Sequence, residues 1–223
     1  MENSHTLLIR RHFTYKFHKV SLYLIIANCI MFGATTLFPR LKLYLGLCPS
    51  LFLQYKMYWQ PFTYMFIHGG MMHLLSNMIG LFFFGLSLEK AIGSREFLLL
   101  YFTGGILSGL LSLGTYILSG TFSAILIGAS GALFSILFAF AVVFPKANIY
   151  LWGLLPIPSP ILILVYAAIE LFSQFFGFRS NVAHFTHLFG FLVSYLYFIV
   201  RIGVNPFRVW KEAYSNHSEN KEE

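Results

Sequence analysis

The sequence predicts an all-α membrane protein, a bundle of six transmembrane helices with both termini on the cytoplasmic side. Three observations lead there. Of 223 residues, 57% are hydrophobic and only 10% charged, against about 25% charged in a soluble globular domain. Apolar runs of about 20 residues, each long enough to cross a hydrocarbon core of about 30 Å, recur along the chain. Lysine and arginine are unequally shared between the connecting segments, as topology requires.

The elements follow from breakers and flanking charges. A mostly polar segment carrying Arg10, Arg11, Lys16 and Lys19 precedes the first apolar run, Ser21–Phe38. That run is long for a signal peptide and no A-x-A site follows it, so it reads as an uncleaved first span. A long connection, Pro39–Gly70, leads to span 2, Met71–Leu88, which ends at Glu89-Lys90. Span 3 covers Phe97–Leu118, and span 4 lies within Phe122–Phe144, before Pro145-Lys146. Span 5 begins after Pro156, Pro158 and Pro160 and runs to Phe178. Span 6 is bracketed by Arg179 and Arg201. The chain thus divides into a cytoplasmic segment 1–20, a six-helix domain 21–202, and a polar tail 203–223 expected to be disordered. No internal repeat or soluble domain is visible.

With the N-terminus inside, eleven Lys and Arg residues fall on cytoplasmic segments and four (Arg40, Lys42, Lys56, Arg179) on outer ones. The net charge of +7 therefore reads as topology-setting loop charge, and no nucleic-acid partner is expected. Cys29 and Cys48 form neither a disulfide framework nor a CxxC motif.

In this orientation spans 2, 4 and 6 all enter from the outer face, and each carries polar residues near its start: His73 and Asn77, with His68 just before them; Ser130; His184 and His187. Ionisable groups within a bilayer are costly and tend to face a bundle interior or a water-filled cavity. Ser130 lies in Gly128-Ala129-Ser130-Gly131, where small neighbours leave its hydroxyl open to a substrate carbonyl. The bland alternative is close helix packing through small residues. Serine needs a base before it attacks, and imidazole is the usual one near neutral pH. His187, Gly190 and Ser194 share one face of span 6, while Gly128, Gly131 and Ser135 form a small stripe on span 4. Two such stripes let the backbones approach and bring Ser130 to His187. His73 and Asn77, four residues apart on one face, can donate hydrogen bonds to an oxyanion or simply join helices.

Taken together, Trp59…Thr63…Phe66-Ile67-His68, His68-x4-His73-x3-Asn77, Gly128-Ala129-Ser130-Gly131 and Ala183-His184-x2-His187-x2-Gly190 resemble the rhomboid family of intramembrane serine proteases. The likeness covers about residues 20–202, and the turn from Leu88-Glu89-Lys90 to Gly93-Ser94 shares it. The resemblance implies a rhomboid-like fold with a Ser–His dyad, in which Ser130 is the nucleophile and His187 the base. It implies an oxyanion hole of His73, Asn77 and the Ser130 backbone N–H. His68 and His184 are possible cavity-lining residues. Pro39–Gly70 matches a partly embedded first loop, and span 5, with Phe172, Phe175, Phe176 and Phe178, a lateral gate. Ser194 departs from the second glycine often found there.

The chain contains no aspartate, so a Ser–His–Asp triad is impossible and Glu170 alone could stand in. A gate or packing role is the preferred expectation for Glu170. The expected substrates are transmembrane proteins whose helices unwind locally at poor helix formers, with the lipid bilayer as the other partner. No metal and no soluble cofactor is expected, and a bacterial plasma membrane is the expected location. The rival readings are an inactive rhomboid-like binding protein and a membrane protein that binds metal through its histidines.

Overall fold

Helices in a bilayer can associate only by close packing and internal hydrogen bonds, and the architecture is arranged around both. The computed structural model describes residues 13–151, 154–176 and 181–219. Arg10, Arg11, Phe178, Arg179 and Lys221, used above, lie outside the described residues. Helix α1 spans Val20–Leu37, and three short helices follow in the first connection: α2 (Leu41–Leu45), α3 (Pro49–Gln54) and α4 (Gln60–Thr63). Helix α5 covers Met71–Ile92, with a π-helical stretch at Leu81–Gly85, and α6 covers Ser94–Leu118. Helix α7 is Ser130–Val143, and a hairpin of β1 (Asn148–Leu151) and β2 (Leu155–Pro158) joins it to α8 (Ser159–Phe176). Helix α9 runs Asn181–Tyr197 and continues as a π-turn through Ile202, and α10 is Pro206–Glu219.

Four of these helices are long and apolar enough to cross a membrane: Val20–Leu37, Met71–Ile92, Ser94–Leu118 and His184–Ile202. The apolar helix Ser130–Val143 is shorter, and α8, Ser159–Phe176, has 18 residues. Span 4 differs from expectation. Its helix begins only at Ser130 and has 14 residues, about 21 Å at 1.5 Å per residue. Residues 122–129 are not helical, and just before the helix Gly128 adopts φ +122°, a conformation open to glycine and closed to almost every other residue. Non-helical backbone in an apolar stretch must find its partners within the protein. Leu126 exchanges both backbone hydrogen bonds with Leu47 at 2.8 and 2.9 Å, and Gly128 N–H donates to Tyr64 O at 3.0 Å.

The first connection is therefore a brace. Cys48 N–H donates to Gln60 Oε1 at 3.1 Å, and Thr63 Oγ1 donates to Leu45 O at 2.7 Å. Tyr64, fully buried, reaches across to donate to Gly105 O at 2.6 Å. At the centre, α6 presents a small stripe of Gly104, Gly105, Ser108, Gly109 and Ser112, against which Ser135, Met65 and Tyr64 pack. Ser112 is also hydrogen-bonded to Thr186 of α9 at 2.7 Å.

At the other end of the bundle two buried carboxylates act as fasteners. Glu89 accepts from Val20 N, Ser21 N, Ser21 Oγ and Ser94 Oγ at 2.6–3.0 Å, placing negative charge at the positive N-terminus of α1. Glu96 pairs with Arg201 through Nε at 3.0 Å and a terminal nitrogen at 2.9 Å, and accepts from Tyr197 OH. The tail corrects another expectation, since Pro206–Glu219 is helical rather than disordered. Asn205 Oδ1 accepts from Phe207 N–H at 3.0 Å, as an N-cap does, and Pro206 suits the first helical position. Trp210 is buried and donates to Ala141 O at 2.9 Å, so this helix is docked on α7.

Candidate functional site

Ser130 is the first residue of α7. The first N–H groups of a helix have no carbonyl one turn back to bond, and they carry the positive end of the macrodipole. The serine hydroxyl and its own backbone N–H thus sit where negative charge is favoured. Gly128 also makes room for a neighbour. A Cβ there would stand 2.7 Å from His73 Nε2 and 3.7 Å from Ser130 Oγ, so imidazole and hydroxyl border one small volume.

His73 and Asn77 lie in the first two turns of α5. Gly69 N–H donates to His73 Nδ1 at 3.4 Å, which leaves Nε2, the atom beside Gly128, as the protonated donor. Asn77 is buried and donates one amide hydrogen to His73 O at 2.7 Å, leaving the second amide hydrogen. His68 is fully buried, and neither ring nitrogen has a hydrogen-bond partner. Its ring meets that of His73 edge-on, with centroids 5.0 Å apart. Burial, with His73 beside it, pulls its pKa down to about 4, so His68 is a neutral ring packed behind His73.

His187 comes from α9, and the anticipated close approach of α9 and α7 is present. A Cβ on Gly190 would meet Gly131 O at 2.5 Å, and Ser135 Oγ donates to Gly190 O at 2.7 Å. The His187 ring lies flat against Phe134, with centroids 4.1 Å apart and planes 7° from parallel. Its Nδ1 is 2.9 Å from Glu170 Oε1, while His184 Nδ1 is 2.5 Å from Glu170 Oε2. A hydrogen bond at Nδ1 selects the tautomer that leaves Nε2 as the free base. The same three side chains also place their ligand atoms within 4.8 Å of one another, a set able to hold a metal ion.

Ser130, His187, His73 and Asn77 all line one cavity of about 360 Å³, together with Phe134 and Tyr166. Among the described hydrogen bonds, none joins Ser130 Oγ to His187, whose Nδ1 is engaged by Glu170. The two residues expected as possible lining, His68 and His184, are not among the residues that line this cavity. His68 is buried under His73, and His184 is turned toward Glu170. Sequence reading underweighted Glu170. Its signal was available, since a lone carboxylate in an apolar span marks function by default and calls for a named partner. Phe134 carried no such signal, because a phenylalanine in an apolar helix is unremarkable.

Comparison with known proteins gives an independent view. The family profile of the Rhomboid domain matches residues 55–203. YdcA of Bacillus subtilis, named as a candidate rhomboid protease, is 32% identical over 145 residues, covering 62% of this chain and 67% of that protein. RHOMBOID-like protein 2 of Arabidopsis thaliana is 33% identical over 73% of this chain and 48% of its own length. Rhomboid protein 1, mitochondrial, of Saccharomyces cerevisiae is 33% identical over 59% of this chain and 38% of its own length. The chain spans about half or less of the plant and yeast relatives it matches.

Proposed function

The chain belongs to the rhomboid family, and from that membership and the geometry of its cavity we propose that it is an intramembrane serine endopeptidase. It is an integral membrane protein. We read its bundle as six spans with both termini cytoplasmic, α7 being the short one, in the plasma membrane of a bacterium like its Bacillus relative. Its substrates are membrane proteins cleaved within or near a transmembrane segment.

One observation carries this reading: a serine at a helix N-terminus, a histidine with a free Nε2, and two side-chain donors from a third helix border a single cavity. In the proposed reaction Ser130 Oγ attacks the scissile carbonyl while its proton passes to His187 Nε2. The carbonyl π electrons move to oxygen, and the oxyanion is met by the Ser130 N–H, His73 Nε2–H and the free Asn77 amide hydrogen. The imidazolium returns its proton to the leaving amine, and water hydrolyses the ester by the same route. Polar walls keep that water in an otherwise apolar bundle.

The test is cleavage of a transmembrane substrate containing a Gly or Pro segment, with enzyme and substrate reconstituted in one liposome. Ser130→Ala and His187→Ala should each abolish product. Product formation by Ser130→Ala at the wild-type rate would refute the proposal. The second reading, metal binding, is favoured by the convergence of Glu170, His184 and His187. It predicts that a strong chelator removes function and that zinc restores it.

A further inference from the structure

Glu170 is the one carboxylate in α8, and it sits among apolar residues at only 9% exposure. Burying a carboxylate is costly unless its oxygens are paired. Here both are paired, and both partners are histidines of α9: Oε1 with His187 Nδ1 at 2.9 Å and Oε2 with His184 Nδ1 at 2.5 Å. A purely structural latch between α8 and α9 needs only one such contact, and it need not involve the ring that borders the cavity. One face of that ring is fixed as well, by Phe134 stacked nearly parallel at 4.1 Å. The imidazole is therefore constrained in plane by Phe134 and in rotation by Glu170, with Nε2 the nitrogen left for Ser130.

We propose that Glu170 is a positioning residue of the catalytic centre: its carboxylate holds His187 in the Nδ1–H tautomer with Nε2 toward Ser130, and His184 anchors the carboxylate through its other oxygen. This inference rests on the serine-protease reading above and extends its dyad to a Ser130–His187–Glu170 triad assembled from three helices. When His187 Nε2 takes the serine proton, the ring becomes imidazolium, and Glu170 supplies the compensating negative charge without itself accepting a proton. Among the described residues, the titratable groups paired with Glu170 are His184 and His187 on α9, Tyr166 lies one turn away on α8, and the sequence of α7, Ser130–Val143, contains none. His73 is the only other titratable side chain among those lining the cavity beside His187, apart from Tyr166.

Replacing the orienting carboxylate by its amide in a Ser–His–Asp protease costs about 10⁴ in kcat, because the amide favours the wrong tautomer. Glu170→Gln should therefore lower kcat by about 10²–10⁴-fold with KM nearly unchanged, and Glu170→Asp should recover part of that loss. The discriminating measurement is ¹⁵N NMR of histidine-labelled protein in detergent micelles, with His187 assigned by its loss in His187→Ala. Wild-type neutral His187 should be the Nδ1–H tautomer, and Glu170→Gln should shift it toward Nε2–H while the thermal midpoint falls only modestly. A wild-type tautomer in Glu170→Gln, or wild-type kcat with lowered thermal stability alone, would overturn the assignment and leave Glu170 as an interhelical latch. If instead the wild type cleaves nothing and the Glu170-dependent tautomer is intact, the protease reading has failed while the positioning geometry stands.

Discussion

Gly190 is where packing and chemistry meet, and Gly190→Ala should harm both. A methyl group there would stand 2.5 Å from Gly131 O, 3.0 Å from Phe134 Cβ and 3.3 Å from Ser135 N. Ordinary contact begins near 3.4 Å, so the closest pair must separate by about 0.9 Å. Two of the three obstacles are backbone atoms, which cannot turn aside, so α9 must move away from α7 at this level. Overpacking of this kind costs about 1–3 kcal/mol, and the shift also stretches the 2.7 Å hydrogen bond from Ser135 to Gly190. Gly190 lies one turn from His187, and Gly131 is next to Ser130, so the separation falls between the proposed nucleophile and base. A misplacement of about 1 Å can cost about 10² in rate, and kcat should fall by about ten- to a hundredfold. The assay pairs the thermal midpoint in detergent with turnover in liposomes. Gly114→Ala serves as control, since a Cβ there meets nothing within 4 Å. It should leave turnover unchanged and hold or raise stability by up to about 1 kcal/mol. Wild-type turnover and midpoint in Gly190→Ala would refute the close-contact reasoning.

Three further outcomes follow from the site. His73→Ala and Asn77→Ala should each lower kcat by about ten- to a hundredfold with little change in KM, because each removes one of several oxyanion donors; steady-state kinetics on folded protein checks this. His187→Ala should abolish turnover, while His184→Ala, which removes only the anchor of Glu170 Oε2, should keep a measurable fraction; the reverse order would make His184 the base. Prolonged dialysis against a strong chelator should leave turnover intact, and loss that zinc restores would favour the metal-binding reading.

Much of the plan was legible because a bilayer imposes simple rules. Apolar length located the long helices, and the small stripes foretold the contact between α7 and α9, although Gly128 lies before α7 and not on its face. The motif residues His73, Asn77, Ser130 and His187 line one cavity, the arrangement that the resemblance implied. What escaped depended on single backbone angles or on pairings between distant segments. The late start of α7 follows from the positive φ of Gly128 and from Leu47 and Tyr64, which satisfy the non-helical backbone before it. Hydropathy reads the same stretch as continuous span. The docked helix α10 was hidden by its polar average, although Asn205-Pro206 is a legible helix start and Trp210 a legible anchor. Glu89 and Arg201 were read as charges at the ends of spans, and both are buried in hydrogen-bonded pairs that no local pattern announces. Glu170 needed the pairing of α8 with α9 before its partners could be seen.

The central claim is that Ser130 is a nucleophile activated within this cavity, and covalent capture tests it most directly. Protein in liposomes is treated with a fluorophosphonate, digested and weighed by mass spectrometry. A single adduct on Ser130, absent from Ser130→Ala and from His187→Ala, is the predicted result. An adduct on another residue, or labelling of Ser130→Ala at the wild-type level, would contradict it.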